Sequence, residues 1–164
     1  MDYQLIKNWV FPEVDRTYTE NDSILYALGI GFGQEPTNPN HLKYVYEQDL
    51  QAFPTMAVVL GYPGFWMKDP KAGINWVKLV HGEQRLTIHK PLPPAGRIIG
   101  RTRITHVIDK GAEKGALVLS ERTLHDSAGT LLVTIGSTTF CRGDGGLSHS
   151  DESPAPLEAT PDRA

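Results

Sequence analysis

The sequence predicts an α+β layer architecture, with one capped helix near the N-terminus packed on a long antiparallel sheet. Two observations carry this. A helical pattern with its own start signal opens at Thr19, and segments of alternating apolar and polar residues, separated by tight-turn residues, run from Glu83 to Arg142.

Thr19-Glu20-Asn21-Asp22 has the form of a helix start. Thr19 can cap the first turn, and an acid three residues later suits the helix N-terminus. Ile24, Leu25 and Leu28 follow at helical spacing, and Gly29 or Gly31 can end the helix. The expectation is an amphipathic helix with its apolar face on the sheet. Pro36, Asn38, Pro39 and Asn40 make the next stretch a loop. Leu42, Tyr44 and Tyr46 then alternate, which predicts a short strand over Leu42 to Glu47. Phe53 to Leu60 is a continuous apolar run opened by Pro54, a residue that suits the first turn of a helix, so a short buried helix is expected. A buried strand has the same apolar content.

The second half is rich in strands. Glu83 to Lys90 alternates, with Leu86 and Ile88 on one face, before the turn residues Pro91, Pro93, Pro94 and Gly96. Ile98 to Ile108 is a long alternating strand, with Ile98, Thr102, Ile104, His106 and Ile108 sharing a face. A turn opens at Asp109-Lys110-Gly111, Ala116 to His125 returns, a second turn follows at Asp126 to Gly129, and Leu131 to Arg142 closes the series. Three long strands joined by short turns make an antiparallel meander. After Gly143 the chain carries glycines, serines and prolines with almost no large apolar residue. One domain over residues 1–142 and a flexible linker or tail over 143–164 are expected.

Composition narrows the function. The 164 residues suit one domain with a sizeable core, and 40% hydrophobic with 21% charged residues is ordinary for a globular protein. A net charge of -3 without an Arg/Lys cluster argues against nucleic acid as a partner. No window has the roughly 20 apolar residues of a membrane span. The N-terminal residues lack the pattern of a signal peptide, and the single Cys141 excludes an internal disulfide, so a cytoplasmic location is expected.

The most informative stretch for a site is Lys78 to Pro93, with Lys110 as a further candidate. His81-Gly82 sets a polar ring beside a residue without a side chain at the mouth of a strand, a place where a ligand can approach the backbone closely. His89, His106 and His125 fall inside strands, and no two histidines have metal-ligand spacing with supporting Cys or carboxylates, so no metal is expected. Gly29-Ile-Gly31-Phe-Gly33 does not lie between a strand and a helix start and is not a phosphate loop. Cys141 has no evident partner base. Lys110 suits a surface turn, or a phosphate contact through its ammonium.

The segments Tyr18 to Gly31, Leu42-Lys-Tyr-Val-Tyr-Glu47, Phe53 to Leu60, Leu79-Val-His-Gly-Glu-Gln84, Lys90-Pro-Leu-Pro93 and Ile108-Asp-Lys-Gly111 occur in an order that resembles the N-terminal half of the hydratase 2 (MaoC-like) family, the (R)-specific 2-enoyl-CoA hydratases. The resemblance spans roughly residues 10 to 142. It implies a hotdog fold, a helix wrapped by a curved antiparallel sheet. It also implies acyl-CoA as substrate, no separate cofactor, and two hotdog halves in which the catalytic Asp/His helix lies in the C-terminal half. His81 and Gly82 then fall where the family contacts substrate, and Lys110 where it can meet the CoA moiety. No Asp-x-Asn-x-x-His cluster occurs in the chain. The segments Pro154-Ala-Pro156 and Thr160-Pro-Asp-Arg163 resemble the linker between the two halves. The implied role is a noncatalytic acyl-CoA-binding half or subunit, pairing with itself or with a catalytic hotdog domain. The alternative is an assembly or acyl-thioester-binding module without hydratase activity.

Overall fold

The computed structural model describes residues 1–156; part of the expected tail, with Thr160 to Arg163, lies outside the described residues. The chain opens with a short helix α1 (Tyr3–Lys7), capped by the Asp2 carboxylate. Strand β1 (Val14–Tyr18), helix α2 (Glu20–Gly29) and helix α3 (Pro39–Val45) follow. Four short 3-10 turns, at Pro54–Val58, Trp66–Lys68, Pro70–Ala72 and Trp76–Lys78, lead into β2 (Leu79–Ile88), β3 (Gly96–Asp109), β4 (Ala116–Asp126) and β5 (Leu131–Cys141). The five strands form one antiparallel sheet in the order β1-β3-β4-β5-β2. This is the α+β hotdog fold. None of its described helices is long and apolar enough to cross a membrane.

The expected meander is β3-β4-β5, with Ile98–Ile108 and Ala116–His125 paired as antiparallel neighbours. The expected sharing of one face along Ile98 to Ile108 does not hold beyond Ile104. A β-bulge between Ile104 and His106 inserts Thr105 without a partner on β4. An extra residue reverses the sides taken by all that follow. Val107 therefore joins Ile104 in the core, while His106 and Ile108 turn to the opposite face.

Helix α2 starts as expected. The Thr19 N–H donates to the Asp22 carboxylate at 2.8 Å, and the Asp22 N–H turns back to the Thr19 hydroxyl at 3.4 Å. Its packing face differs from the expectation: Leu25 and Leu28 are exposed, while Ser23 and Ala27 are fully buried. The Ser23 hydroxyl donates to the Pro94 carbonyl at 2.6 Å, and the small side chains let the helix approach closely. Tyr18 fixes the same proline turn by donating to the Pro93 carbonyl at 2.7 Å, and burial pushes its phenol pKa up to about 12. The segment that lies deepest against the sheet is the expected Phe53–Leu60 run. There Met56 and Ala57 join the core from the 3-10 turn, and Leu60 joins it just beyond.

Residues 42–47 correct another expectation. Asn38 caps α3 and Pro39 occupies its first turn, so Leu42 and Tyr44 belong to a helix rather than a strand. Of the alternating residues Tyr44 packs on Phe32, which contacts the rings of His41, Tyr44 and Phe53 at centroid distances of 5.1, 5.1 and 4.7 Å, while Tyr46 is exposed.

The segment after Gly143 also differs from a loose tail, as far as Asp151. The Asp109 carboxylate accepts the Gly146 and Leu147 N–H groups at 2.9 Å each. Asp151 exchanges two bonds with Val107: its own N–H donates to the Val107 carbonyl at 2.8 Å, and its carboxylate accepts the Val107 N–H at 2.8 Å. Lys7 and Tyr3 donate to the same carboxylate at 2.6 Å each. Polar anchors thus do what apolar residues would do in a core. An expectation based on hydrophobicity alone passes over them.

Candidate functional site

One face of the sheet carries two separate apolar clusters. The first gathers Met56, Leu60, Ile98, Leu124, Val133 and Ile135. The second gathers Ile6, Met67, Ile104, Val107, Val118 and Cys141. Strand register explains the gap. Cross-strand rows on this face run Gly100–Leu124–Val133 at one end and Val107–Val118–Thr139–His81 toward the other. Between them lie Thr102–Arg122–Ile135–Leu86 and Ile104–Ser120–Ser137–Gln84. The middle of the face is thus a band of hydroxyls, an amide and a guanidinium, all in positions that alternation turns inward.

A cavity of about 310 Å³ lies over this band. Its floor includes Thr102, Ser120, Arg122, Ser137 and Thr139; its apolar lining includes Val58, Phe65, Trp66, Met67 and Ile135, and His81 and Gln84 flank it from β2. Among the described residues no carboxylate lines it. Arg122 is 8% exposed. It donates to the Val58 carbonyl through one terminal nitrogen and stacks 5.5 Å from the Tyr62 ring centroid, and among the described residues its buried Nε has no partner. Burial lowers its pKa from the ordinary guanidinium value, and Tyr62 opposes that shift. A guanidinium remains protonated at neutral pH all the same.

His81 lies on β2 and lines the cavity. Gly82 sits beside it at a second β-bulge, between His81 and Glu83. A Cβ at Gly82 would lie 3.1 Å from the Thr138 carbonyl oxygen, so the bulge brings two backbones closer than a side chain readily tolerates. The structure thus brings His81 and Gly82 to one place. It does not bring Lys110 there. Lys110 follows β3 at the turn toward β4, where its N–H donates to the Gly115 carbonyl at 2.8 Å. Strands β4 and β5 separate β3 from β2, which at one strand spacing per step is roughly 14 Å.

The carboxylates near these positions are engaged. Asp109 accepts three backbone N–H groups, from Gly111, Gly146 and Leu147, and these hold its pKa below the usual carboxylate range. Glu83 pairs with Arg85 at 2.8 Å and accepts from Thr138 at 3.1 Å. Burial pushes the Cys141 thiol up to about 12, which leaves it protonated and unreactive at neutral pH. Among the described residues no group of three or more His, Cys, Asp or Glu is placed to hold a metal. Arg122 is the cavity residue that sequence reasoning missed. Its signal was there to find: in Val118-Leu-Ser-Glu-Arg-Thr-Leu124, alternation turns Arg122 to the same side as Val118 and Leu124.

Comparison with known proteins agrees with this architecture. Residues 17–143 match the model of the MFE-2 hydratase 2 N-terminal domain. The chain belongs to the hydratase 2 family, as a copy of its N-terminal hotdog domain. It is 34% identical over 158 residues to the enoyl-CoA hydratase ChsH3 of Mycobacterium tuberculosis, covering 93% of this chain and 54% of that protein. It is 37% identical over 155 residues to the peroxisomal enoyl-CoA hydratase 2 of Arabidopsis thaliana, covering 86% of this chain and 48% of that one. The chain therefore spans about half the length of these two relatives. The crystal structure of a MaoC-like dehydratase from Phytophthora capsici superposes with a TM-score of 0.72 at 29% identity, over 98% of this chain and 56% of that one. A chain of the HadBC (3R-hydroxyacyl-ACP dehydratase) complex of Mycobacterium tuberculosis shares the fold, with a TM-score of 0.56 at 16% identity over 79% of this chain and 96% of that one.

Proposed function

We propose that this chain is the acyl-thioester-binding, noncatalytic half of an (R)-specific 2-enoyl-CoA hydratase or dehydratase, completed by a second hotdog domain or subunit that carries the chemistry. The observation that carries this reading is the cavity's position at the open edge of the sheet. Strand β2 pairs only with β5 among the described residues, and it carries His81 and Gln84 along the cavity. A second sheet joined along β2 would complete the site from outside. The names of the relatives and the chain's coverage of half their length support the same division.

Water addition across a 2-enoyl thioester needs a base to take a proton from water and an acid to protonate the α-carbon. Among the described residues His81 has no carboxylate beside it in the cavity lining to orient its ring or share a proton. The residues of this half are suited instead to enclosing the acyl group, with Val58, Phe65, Trp66 and Met67 as apolar contacts. Gly82 leaves the backbone accessible beside His81. Lys110 stands outside the cavity and contributes, at most, a solvent-screened contact to CoA phosphate.

The test is hydration of trans-2-enoyl-CoA, followed by loss of enoyl absorbance, alongside calorimetric titration with a saturated acyl-CoA. The purified chain is expected to bind the acyl-CoA and to give no turnover. Lys110→Ala should weaken binding by less than about threefold, and less still at high salt. Robust turnover by the chain alone would overturn the noncatalytic assignment. Absence of acyl-CoA binding would leave an assembly module in its place.

A further inference from the structure

We propose that the cavity over Arg122 receives the carboxylate end of a dicarboxylic acyl thioester. This deepens the acyl-binding reading above and rests on it. Four other arginines of the chain bind a carboxylate, although all are more exposed: Arg85 with Glu83, Arg97 with Asp15, Arg101 with Glu13 and Arg103 with Glu121, with side-chain exposures of 34, 57, 55 and 72%. Arg122, at 8% exposed, has no acidic partner among the described residues. A buried guanidinium that keeps its charge needs an anion, and here the site leaves room for one.

The surroundings fit a ligand oxyanion. Among the described residues Arg122 reaches one protein acceptor, the Val58 carbonyl, and its buried Nε has no partner. Thr102 lies opposite it on β3, and Ser120 precedes it on the same face of β4. Hydroxyls can donate to a carboxylate that the planar guanidinium binds in a fork. A purely aliphatic tail would set methylenes against these groups and leave the charge desolvated, with the Val58 carbonyl and the Tyr62 ring to offset it but no anion. A tail ending in a carboxylate lays its methylenes along Val58, Met67 and Ile135 and brings its charge to Arg122. The 310 Å³ of space admits several chain atoms beyond the carboxylate itself.

The test is calorimetric titration of the full chain with hexanoyl-CoA and adipoyl-CoA, which match in chain length and differ in the terminal carboxylate. Adipoyl-CoA should bind roughly tenfold tighter or more. Arg122→Met should abolish that preference, and Arg122→Lys, which keeps the charge without the fork, should retain part of it; thermal melts confirm that each variant folds. Equal affinities for the two thioesters in the unaltered chain would overturn the proposal and leave the acyl-CoA reading standing. If neither thioester binds, the acyl-CoA reading fails, and the carboxylate is tested alone through the Arg122 Nε–H resonance of labelled protein. A shift with pentanoate but not with pentanol would support the carboxylate site, and no shift would overturn it. A shift that grows with protein concentration in the absence of any added carboxylate would place a second copy's acid in the cavity and overturn it too.

Discussion

At the scale of single residues, close backbone approaches set the shape of the site. Gly61 and Gly100 pass so near each other that a Cβ on Gly100 would lie 2.6 Å from the Gly61 carbonyl oxygen. This contact seats the Met56–Leu60 turn on β3. Gly100→Ala should therefore destabilise the chain by about 1–3 kcal/mol in urea unfolding, because backbone rather than a flexible side chain must give way. Gly82→Ala, whose Cβ would meet the Thr138 carbonyl at 3.1 Å, should cost less, about 1 kcal/mol or below. An equal or greater loss at Gly82 would show that its bulge is the more rigid of the two. The placement of His81 and Gly82 on a strand was legible in the sequence because glycine beside a polar ring in an alternating segment is a local pattern. Arg122 was harder to see, since its importance depends on which face of β4 points inward and on what the other strands place around it.

At the scale of elements, alternation revealed the meander well but failed wherever something other than burial dictated spacing. Leu42, Tyr44 and Tyr46 alternate as a strand would, yet Asn38 and Pro39 start a helix there, and capping chemistry outweighed the pattern. The bulge at Thr105 leaves no mark in the composition of Ile98 to Ile108, so the inward place of Val107 required the register with β4. The α2 start was legible because its capping box is local. Thr19→Ala should destabilise α2 by about 1 kcal/mol, seen as faster amide exchange confined to that helix. The segment 144–151 gives a pH prediction. Burial raises the Asp151 pKa, but hydrogen bonds from Lys7, Tyr3 and the Val107 N–H outweigh it and hold the pKa at about 2. A carboxyl depressed in the folded state stabilises fully above its unfolded pKa of roughly 3.9 and loses that contribution as pH falls through about 2. Asp151→Asn should thus lower stability on the order of 1–2 kcal/mol at pH near 7, and the gap to the unaltered chain should narrow as pH falls from roughly 4 toward 2. A gap that stays constant over that range would exclude the ionised carboxylate as its source.

At the scale of the whole molecule, the architecture points to assembly. We expect a dimer, with itself or with a catalytic hotdog domain, joined along β2 into one longer sheet. Sedimentation at micromolar concentration, alone and with a candidate catalytic chain, should show association, and only monomer in both would count against it. A lysine at Val80, which is 45% exposed on that strand, should weaken the association by charge repulsion and desolvation if β2 is the joining edge. The α+β class was accessible from periodicity, and the family from motif order. The two-cluster core with a polar gap between its halves required the register of four strands at once.

The two borders of the sheet are not equivalent. On the β1 side, β1 covers only Gly96 to Gly100 of β3, and beyond it the Lys7 ammonium on the Thr105 carbonyl, Asp151 on Val107 and the Ser150 hydroxyl on the Asp109 N–H occupy the hydrogen-bonding groups that another strand would take. The β2 side has no such cover among the described residues. These groups block the stretch of β3 beyond β1, so among the described residues a neighbouring strand is expected to join along β2 or along the five residues of β1. Residues 144–151 thereby act as a guard on β3: freeing them, by an Asp151 substitution or by cleavage near Ser150, should uncover backbone groups that a further strand could take, seen as added self-association.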